Sequence, residues 1–188
     1  GFMFYEPSPR CITPEQAAAI IAELPTHVAK VGVFVDAAEA TVRATAAAAG
    51  LDTLQFHGNE PPEFCARFEL WTIKAFRVKD SKSLGQLPSY KTDAWLLDSY
   101  VKGVPGGTGA QFNWDLAVEA KRLGRPILLA GGLTPENAGK AVGQVAPFGL
   151  DVSSGVEAAP GRKDAAKVAA LIANAKGSAT GVGLWTAC

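Results

Sequence analysis

Apolar residues gather in short, mostly unbroken runs at positions 2–5, 31–35, 53–56, 71–76, 94–97, 127–130 and 148–152. A strand with one wet face alternates polar and apolar residues. Unbroken runs instead predict strands covered on both faces, as in a parallel sheet. Between the runs the spacing becomes helical. Thr13-Pro14-Glu15-Gln16 reads as an N-cap, a first-turn proline and a glutamine reaching back, with Ile20, Ile21 and Leu24 on one stripe behind it. Thr134-Pro135 opens another helix, with Ala138, Ala141, Val142 and Val145 at i, i+3, i+4 and i+7. Leu116, Ala120 and Leu123 mark a third, with Gly124 as its C-cap and Pro126 barring continuation. Val168, Leu171, Ile172 and Ala175 mark a fourth. Positions 36–49 read as helix from alanine content, and 61–68 and 80–87 carry fainter helical patterns.

The result is seven strand-then-helix units of about 25 residues each, which predicts an α/β chain with a parallel sheet. An open, doubly wound sheet usually carries a glycine-rich dinucleotide turn after its first strand, but Glu6-Pro7-Ser8-Pro9 stands there instead. A closed (β/α)8 TIM barrel has eight units and needs roughly 200 residues or more. The 188 residues therefore predict such a barrel short of one unit.

Composition narrows the function. Lys and Arg number 18 against 18 Asp and Glu. This balance argues against a nucleic-acid surface or a polybasic membrane patch. No apolar run spans a bilayer and no basic start leads an apolar stretch, so a cytoplasmic protein is expected. Cys11, Cys65 and Cys188 lie far apart and in odd number, which fits reduced thiols rather than a disulfide framework. His27 and His57 have no neighbouring ligand set, so no metal site is expected.

In βα barrels the chemistry sits at the carboxyl ends of the strands. After the first run stands Arg10, either a carboxylate clamp or a solvated surface arginine. After the third stands His57-Gly58, with Gln55 two positions earlier; the histidine could donate to a substrate oxygen or be structural. Asp98 follows Trp95-Leu96-Leu97, a partly desolvated place that suits general-acid work or a turn-capping role. Asp151 occupies the equivalent place on the last strand, and residue chemistry alone does not separate the two. Residues 103–109 hold four glycines and a proline, a lid or a plain connection. Gly131-Gly132 precedes the helix at Thr134, and Ser153-Ser154-Gly155 precedes Val156-Glu157. Glycines at such ends let backbone N–H groups approach an anion, and two such bends in consecutive units predict a phosphate site.

Read in order, these strings resemble phosphoribosylanthranilate isomerase of tryptophan biosynthesis. The matching stretches are Gly1-Phe2-Met3-Phe4-Tyr5 with Ser8-Pro9-Arg10, Val31-Gly32-Val33-Phe34-Val35, Leu54-Gln55-Phe56-His57-Gly58, Leu96-Leu97-Asp98, Gly106-Gly107-Thr108-Gly109 with Phe112-Asn113-Trp114, the run from Leu129 to Asn137, and Asp151-Val152-Ser153-Ser154-Gly155-Val156-Glu157 with Pro160-Gly161. The resemblance covers residues 1–176 and implies an isomerase domain there, with a TIM barrel and no cofactor. It implies an Amadori rearrangement of N-(5′-phosphoribosyl)anthranilate to 1-(2-carboxyphenylamino)-1-deoxyribulose 5-phosphate. Asp98 would be the general acid, and Arg10 would hold the anthranilate carboxylate. Gln55, His57 and Asp151 would line the pocket, and Gly131, Gly132, Ser154 and Gly155 would bind phosphate. The partner is then a small phosphosugar, with no nucleic acid and no membrane.

The family's base is a cysteine in a Lys-Ile-Cys-Gly-Ile-type motif on the strand before Gly-Phe-x-Phe, and no such string occurs in these residues. The sequence is therefore read as starting at the second barrel strand. Cys11 leads into a helix, and Cys65 reads as core. Residues 177–188 match nothing in the family; they read as a turn and a strand-like run ending in Cys188. That run would enter the sheet parallel to its neighbours and carry Cys188 to the catalytic end, unless it is a scar or a disordered tail. A runner-up reading is a non-catalytic phosphate-binding barrel fragment whose partner supplies the first strand. A third keeps catalysis on another phosphosugar, against which Arg10 and Asp98 weigh.

Overall fold

The computed structural model describes residues 1–99, 113–178 and 185–187. Its contacts divide the chain into two compact units, Gly1–Ala75 with Ser89–Asp93, and Phe76–Pro88 with Ala94–Cys188.

The first unit holds β1 (Phe2–Met3), α1 (Pro14–Ala22), β2 (Val31–Phe34), α2 (Glu39–Ala49), β3 (Thr53–Phe56), α3 (Pro62–Cys65) and the start of β4 (Trp71–Val78). Its strands pair in parallel as β1–β2–β3–β4, with Met3 beside Val33, Val33 beside Gln55 and Phe56 beside Lys74. β2 and β3 are buried along their whole length, as unbroken apolar runs require. Phe34, Val42, Leu54 and Phe56 form the middle of the core. Phe64 and Phe68 pack against Phe56 at centroid distances of 5.6 and 5.2 Å.

Three elements depart from the sequence pattern. β1 is shorter than expected because the chain turns at Tyr5, whose carbonyl accepts from Ser8 N–H at 2.9 Å. α2 begins only at Glu39, since Asp36 adopts φ 50°, a left-handed conformation that no α-helix accommodates. The stretch expected as helix over 61–68 contracts to the single turn of α3. Thr13 caps α1 as expected: its hydroxyl accepts from Gln16 N–H at 3.2 Å and its N–H donates to Gln16 Oε1 at 2.9 Å.

The second unit takes the end of β4 and all but the last residue of a 3₁₀ segment, Ser81–Ser89, where the pattern suggested helix over 80–87. Asp80 ties its start by accepting from Ser83 N–H at 3.0 Å. Then follow β5 (Ala94–Ser99), α4 (Trp114–Lys121), β6 (Ile127–Leu129), α5 (Pro135–Val145), β7 (Gly149–Asp151), the short hairpin β8 (Glu157–Ala159) and β9 (Arg162–Lys163), α6 (Ala165–Gly177) and β10 (Trp185–Ala187). β5, β6, β7 and β10 pair in parallel in that order. α4 ends at a cap on Arg122, and Gly124 takes φ 87° two residues later. Trp95, Leu97, Ile127, Leu129, Leu150 and Val145 are nearly or wholly buried.

The strand-like tail is thus a strand, with Trp185 beside Gly149 and Ala187 beside Asp151. Cys188 and the glycine-rich loop at 103–109 lie outside the described residues.

Candidate functional site

Each unit carries its candidate residues at the carboxyl ends of its strands. In the first, Arg10 lies half-buried in the turn after β1, with its N–H donating to Ser8 Oγ at 3.2 Å. Gln55 is buried on β3, and its amide nitrogen lies 3.1 Å from His57 Nδ1. Donation by that amide would make Nδ1 the acceptor and leave Nε2 as the donating nitrogen of the ring.

Beneath His57 the structure reveals a cluster that the sequence pattern did not suggest. Lys74 and Glu60 form an ion pair at 2.8 Å with both side chains only 3% exposed. Lys74 Nζ also donates to the carbonyls of Gly58 at 2.7 Å and Phe56 at 3.3 Å. The second oxygen of Glu60 accepts from Asp36 N–H at 2.8 Å and Gly58 N–H at 3.2 Å. Asp36 in turn accepts from Asn59 N–H. A Cβ on Gly58 would press against Asp36 Oδ1 at 2.5 Å, so the glycine after His57 is demanded by the neighbouring strand end. The signal available in sequence was Lys74 itself, a lone charge inside the run Trp71-Thr72-Ile73-Lys74-Ala75-Phe76. A lysine buried in a strand must be paired.

In the second unit Asp98, Ala130 and Asp151 lie level on three neighbouring parallel strands. Leu97 pairs with Leu129, Leu129 with Leu150, and Ala130 N–H donates to Leu97 O at 2.9 Å. Register and pleat therefore put both half-buried carboxyl groups on one face, roughly 10 Å apart by strand spacing. Gly131 and Gly132 have φ values of 83° and 65°, a region that side chains disfavour. Asn137 holds their bend: its amide nitrogen donates to Gly132 O at 2.9 Å and its oxygen accepts from Thr134 N–H at 2.9 Å. Among the described residues, the N–H groups of Gly131 and Gly132 donate to no protein group.

The other bend touches this one. A Cβ on Gly155 would collide with the Leu133 carbonyl oxygen. The 3₁₀ turn Ser154–Val156 is braced by the β8–β9 hairpin, where Lys163 donates to Ser153 O at 3.0 Å and to Glu157 at 3.3 Å. The two glycine bends and both carboxylates thus gather at one end of one parallel sheet. Among the described residues no group of His, Cys, Asp and Glu could hold a metal ion.

Residues 1–174 match the family model for N-(5′-phosphoribosyl)anthranilate (PRA) isomerase. The chain belongs to the PRA isomerase family. It is 55% identical over 177 residues to the N-(5′-phosphoribosyl)anthranilate isomerase of Geobacter sulfurreducens, covering 94% of this chain and 87% of that protein. The crystal structure of the isomerase from Thermotoga maritima superposes with a TM-score of 0.89 at 40% identity, over 94% of this chain and 87% of that one. A structure of the enzyme in complex with reduced 1-(o-carboxyphenylamino)-1-deoxyribulose 5-phosphate superposes with a TM-score of 0.85 at 38% identity, over 94% and 86% of the two chains. The α/β architecture with parallel strands is that of these PRA isomerases. No helix among the described residues is long and apolar enough to cross a membrane.

Proposed function

We propose that this chain, an isomerase of tryptophan biosynthesis, converts N-(5′-phosphoribosyl)anthranilate to 1-(2-carboxyphenylamino)-1-deoxyribulose 5-phosphate with Asp98 as its general acid. The observation that carries the reading is the common level of Asp98, Asp151 and the two touching glycine bends in the second unit. On this reading the phosphate rests on Gly131, Gly132, Ser154 and Gly155; among the described residues the N–H groups of Gly131 and Gly132 have no protein acceptor, which favours an anion. Asp98 gives its proton to the ribose ring oxygen, the C1′–O bond breaks, and the anilino nitrogen's lone pair forms the Schiff base. Loss of the C2′ proton then gives an enolamine, which tautomerises to the ketose. By the family resemblance, Arg10 would take the anthranilate carboxylate through its planar fork, and Gln55, His57 and Asp151 would be pocket residues. The family relation supports this isomerase reading over a non-catalytic phosphate-binding fragment. The reaction uses no cofactor and belongs in a reducing cytoplasm, where a base thiol survives.

The seven units correspond, on the same reading, to the second to eighth of the family's barrel, with residues 1–176 as the isomerase domain. The base is assigned by resemblance to a cysteine in a Lys-Ile-Cys-Gly-Ile-type motif. Neither described cysteine suits that step. Cys65 is buried, and burial pushes its thiol up to about 11, while Cys11 is exposed beyond the β1 turn.

Turnover can be followed by loss of substrate fluorescence in the 188-residue chain and in a version carrying a strand with that motif ahead of Gly1. The extended version should be the faster, and equal turnover would refute the assignment of the base. In the extended version Asp98→Asn should lower kcat by about 10²–10⁴ while binding of the reduced ketose analogue changes only a few-fold. Full activity in Asp98→Asn would remove Asp98 from the mechanism.

A further inference from the structure

We propose that the buried Lys74–Glu60 pair is a positioning device for His57, fixing the peptide segment that carries it and the tautomer of its ring. The proposal deepens the reading above and rests on it only for the consequence in substrate binding. Lys74 is a positioning residue, since its ammonium bonds the backbone around His57 and not the ring.

The argument is one of satisfied donors and acceptors. The three ammonium donors meet Phe56 O, Gly58 O and Glu60 Oε2. Those carbonyls immediately flank His57, so the lysine clamps the peptide chain on both sides of it. His57 N–H donates to Phe34 O at 2.8 Å. Glu60 closes the other side by accepting from Asp36 and Gly58 N–H, and its own carbonyl accepts from Tyr90 OH at 3.1 Å. The strand ends after β2 and β3 are thereby tied to β4 through one carboxylate. With its backbone held, the His57 ring lies within reach of the Gln55 amide, which makes Nδ1 the acceptor.

Stability alone is a weak reason for such a pair. Desolvation offsets most of the attraction between buried charges, and well-packed apolar pairs are often as stable. An apolar pair would take the ammonium away from the carbonyls of Phe56 and Gly58. The Gly58 carbonyl would turn towards water and carry residue 57 with it.

The test uses the full chain and the long-range ¹H–¹⁵N spectrum of its two histidines at about pH 8. A His57→Asn variant assigns the signals. The wild type should show His57 as the Nε2–H tautomer. Lys74→Met should mix the tautomers of His57 and leave the His27 signals unmoved. Glu60→Gln, which keeps an acceptor for Asp36 and Gly58 N–H, should shift His57 less. If Lys74→Met alone does not fold, the test passes to a variant that also removes the carboxylate. The double change Lys74→Met with Glu60→Leu restores packing without the clamp and should still mix the tautomers.

A His57 spectrum identical to wild type in any folded variant lacking the lysine overturns the proposal. Affinity for the reduced ketose analogue should fall by about tenfold in Lys74→Met. Tautomer mixing with unchanged affinity would uphold the clamp and show instead that His57 does not touch substrate. A wild type that fails to bind the analogue would sink the functional reading, and the spectrum would still decide the clamp.

Discussion

The strand ends of the two units are held by opposite means. After β2 and β3, backbone N–H groups are taken up by carboxylates: Asp36 and Gly58 donate to Glu60, Asn59 donates to Asp36, and Lys74 takes the nearby carbonyls. After β6 the bend is shaped by missing side chains and a neutral amide, and after β7 by a glycine and by Lys163, which holds the Ser153 carbonyl and pairs with Glu157. Gly131 and Gly132 lie in the left-handed region, Gly155 abuts a carbonyl, and Asn137 supplies the only side-chain brace at the first bend among the described residues. The difference has a chemical logic. A loop whose N–H groups are consumed by carboxylates presents a rigid side chain but repels an anion. A loop fixed without carboxylates keeps its N–H groups for one.

The contrast is broken most severely by Lys74→Met, which strands Glu60 in the core. A loss of about 3–5 kcal/mol is expected in urea unfolding, and a change within error would mean that the pair is solvated. Gly155→Ala comes next. Its methyl must displace the Leu133 carbonyl, at a cost of about 1–3 kcal/mol. Phosphate-dependent stabilisation should vanish with it, whereas Gly58→Ala should lower stability and leave that stabilisation intact.

Asn137→Ala removes both bonds that hold the first bend and should cost about 1 kcal/mol, the size of a helix cap. Analogue affinity should weaken with it. A drop in stability without a drop in affinity would separate the bend from the anion.

Cys65 gives a smaller, pH-dependent effect. Burial raises its folded value from the ordinary 9 to about 11. Its contribution is therefore complete below pH 9 and is lost as pH rises through about 11, because only the unfolded chain ionises freely in that window. The fall in urea midpoint over that range should flatten in Cys65→Val, and a thiol reagent should reach Cys65 only on unfolding. Smallest is Glu39→Gln. Hydrogen bonds from Arg67 and then Arg43 hold the Glu39 carboxyl below its usual range, yet the cluster is solvent-exposed. No measurable change in midpoint is expected at neutral pH.

Much of the second unit's site could be read in advance. Gly131, Gly132, Ser154 and Gly155 stand out as glycine and serine bends at the ends of consecutive apolar runs, and Asp98 and Asp151 stand directly behind such runs. The sequence could not show that the Gly155 backbone is pressed against Leu133, or that Asn137 holds the bend. Asp36, Glu60 and Lys74 were missed for a plainer reason. Lys74 and Glu60 lie 14 positions apart on different elements, and neither belongs to a recognisable motif.

The sequence by itself determined the order of strands and helices, the caps at Thr13 and Thr134, the family, and the residue types at the strand ends. These are consequences of local periodicity and of matching strings, both written along the chain. Only the tertiary structure decided which loops share a carboxylate, which glycines are required by a neighbour's backbone, and that β10 pairs beside β7. Such facts depend on distances between residues remote in sequence, and hydrogen bonds and steric contacts act only at a few ångströms.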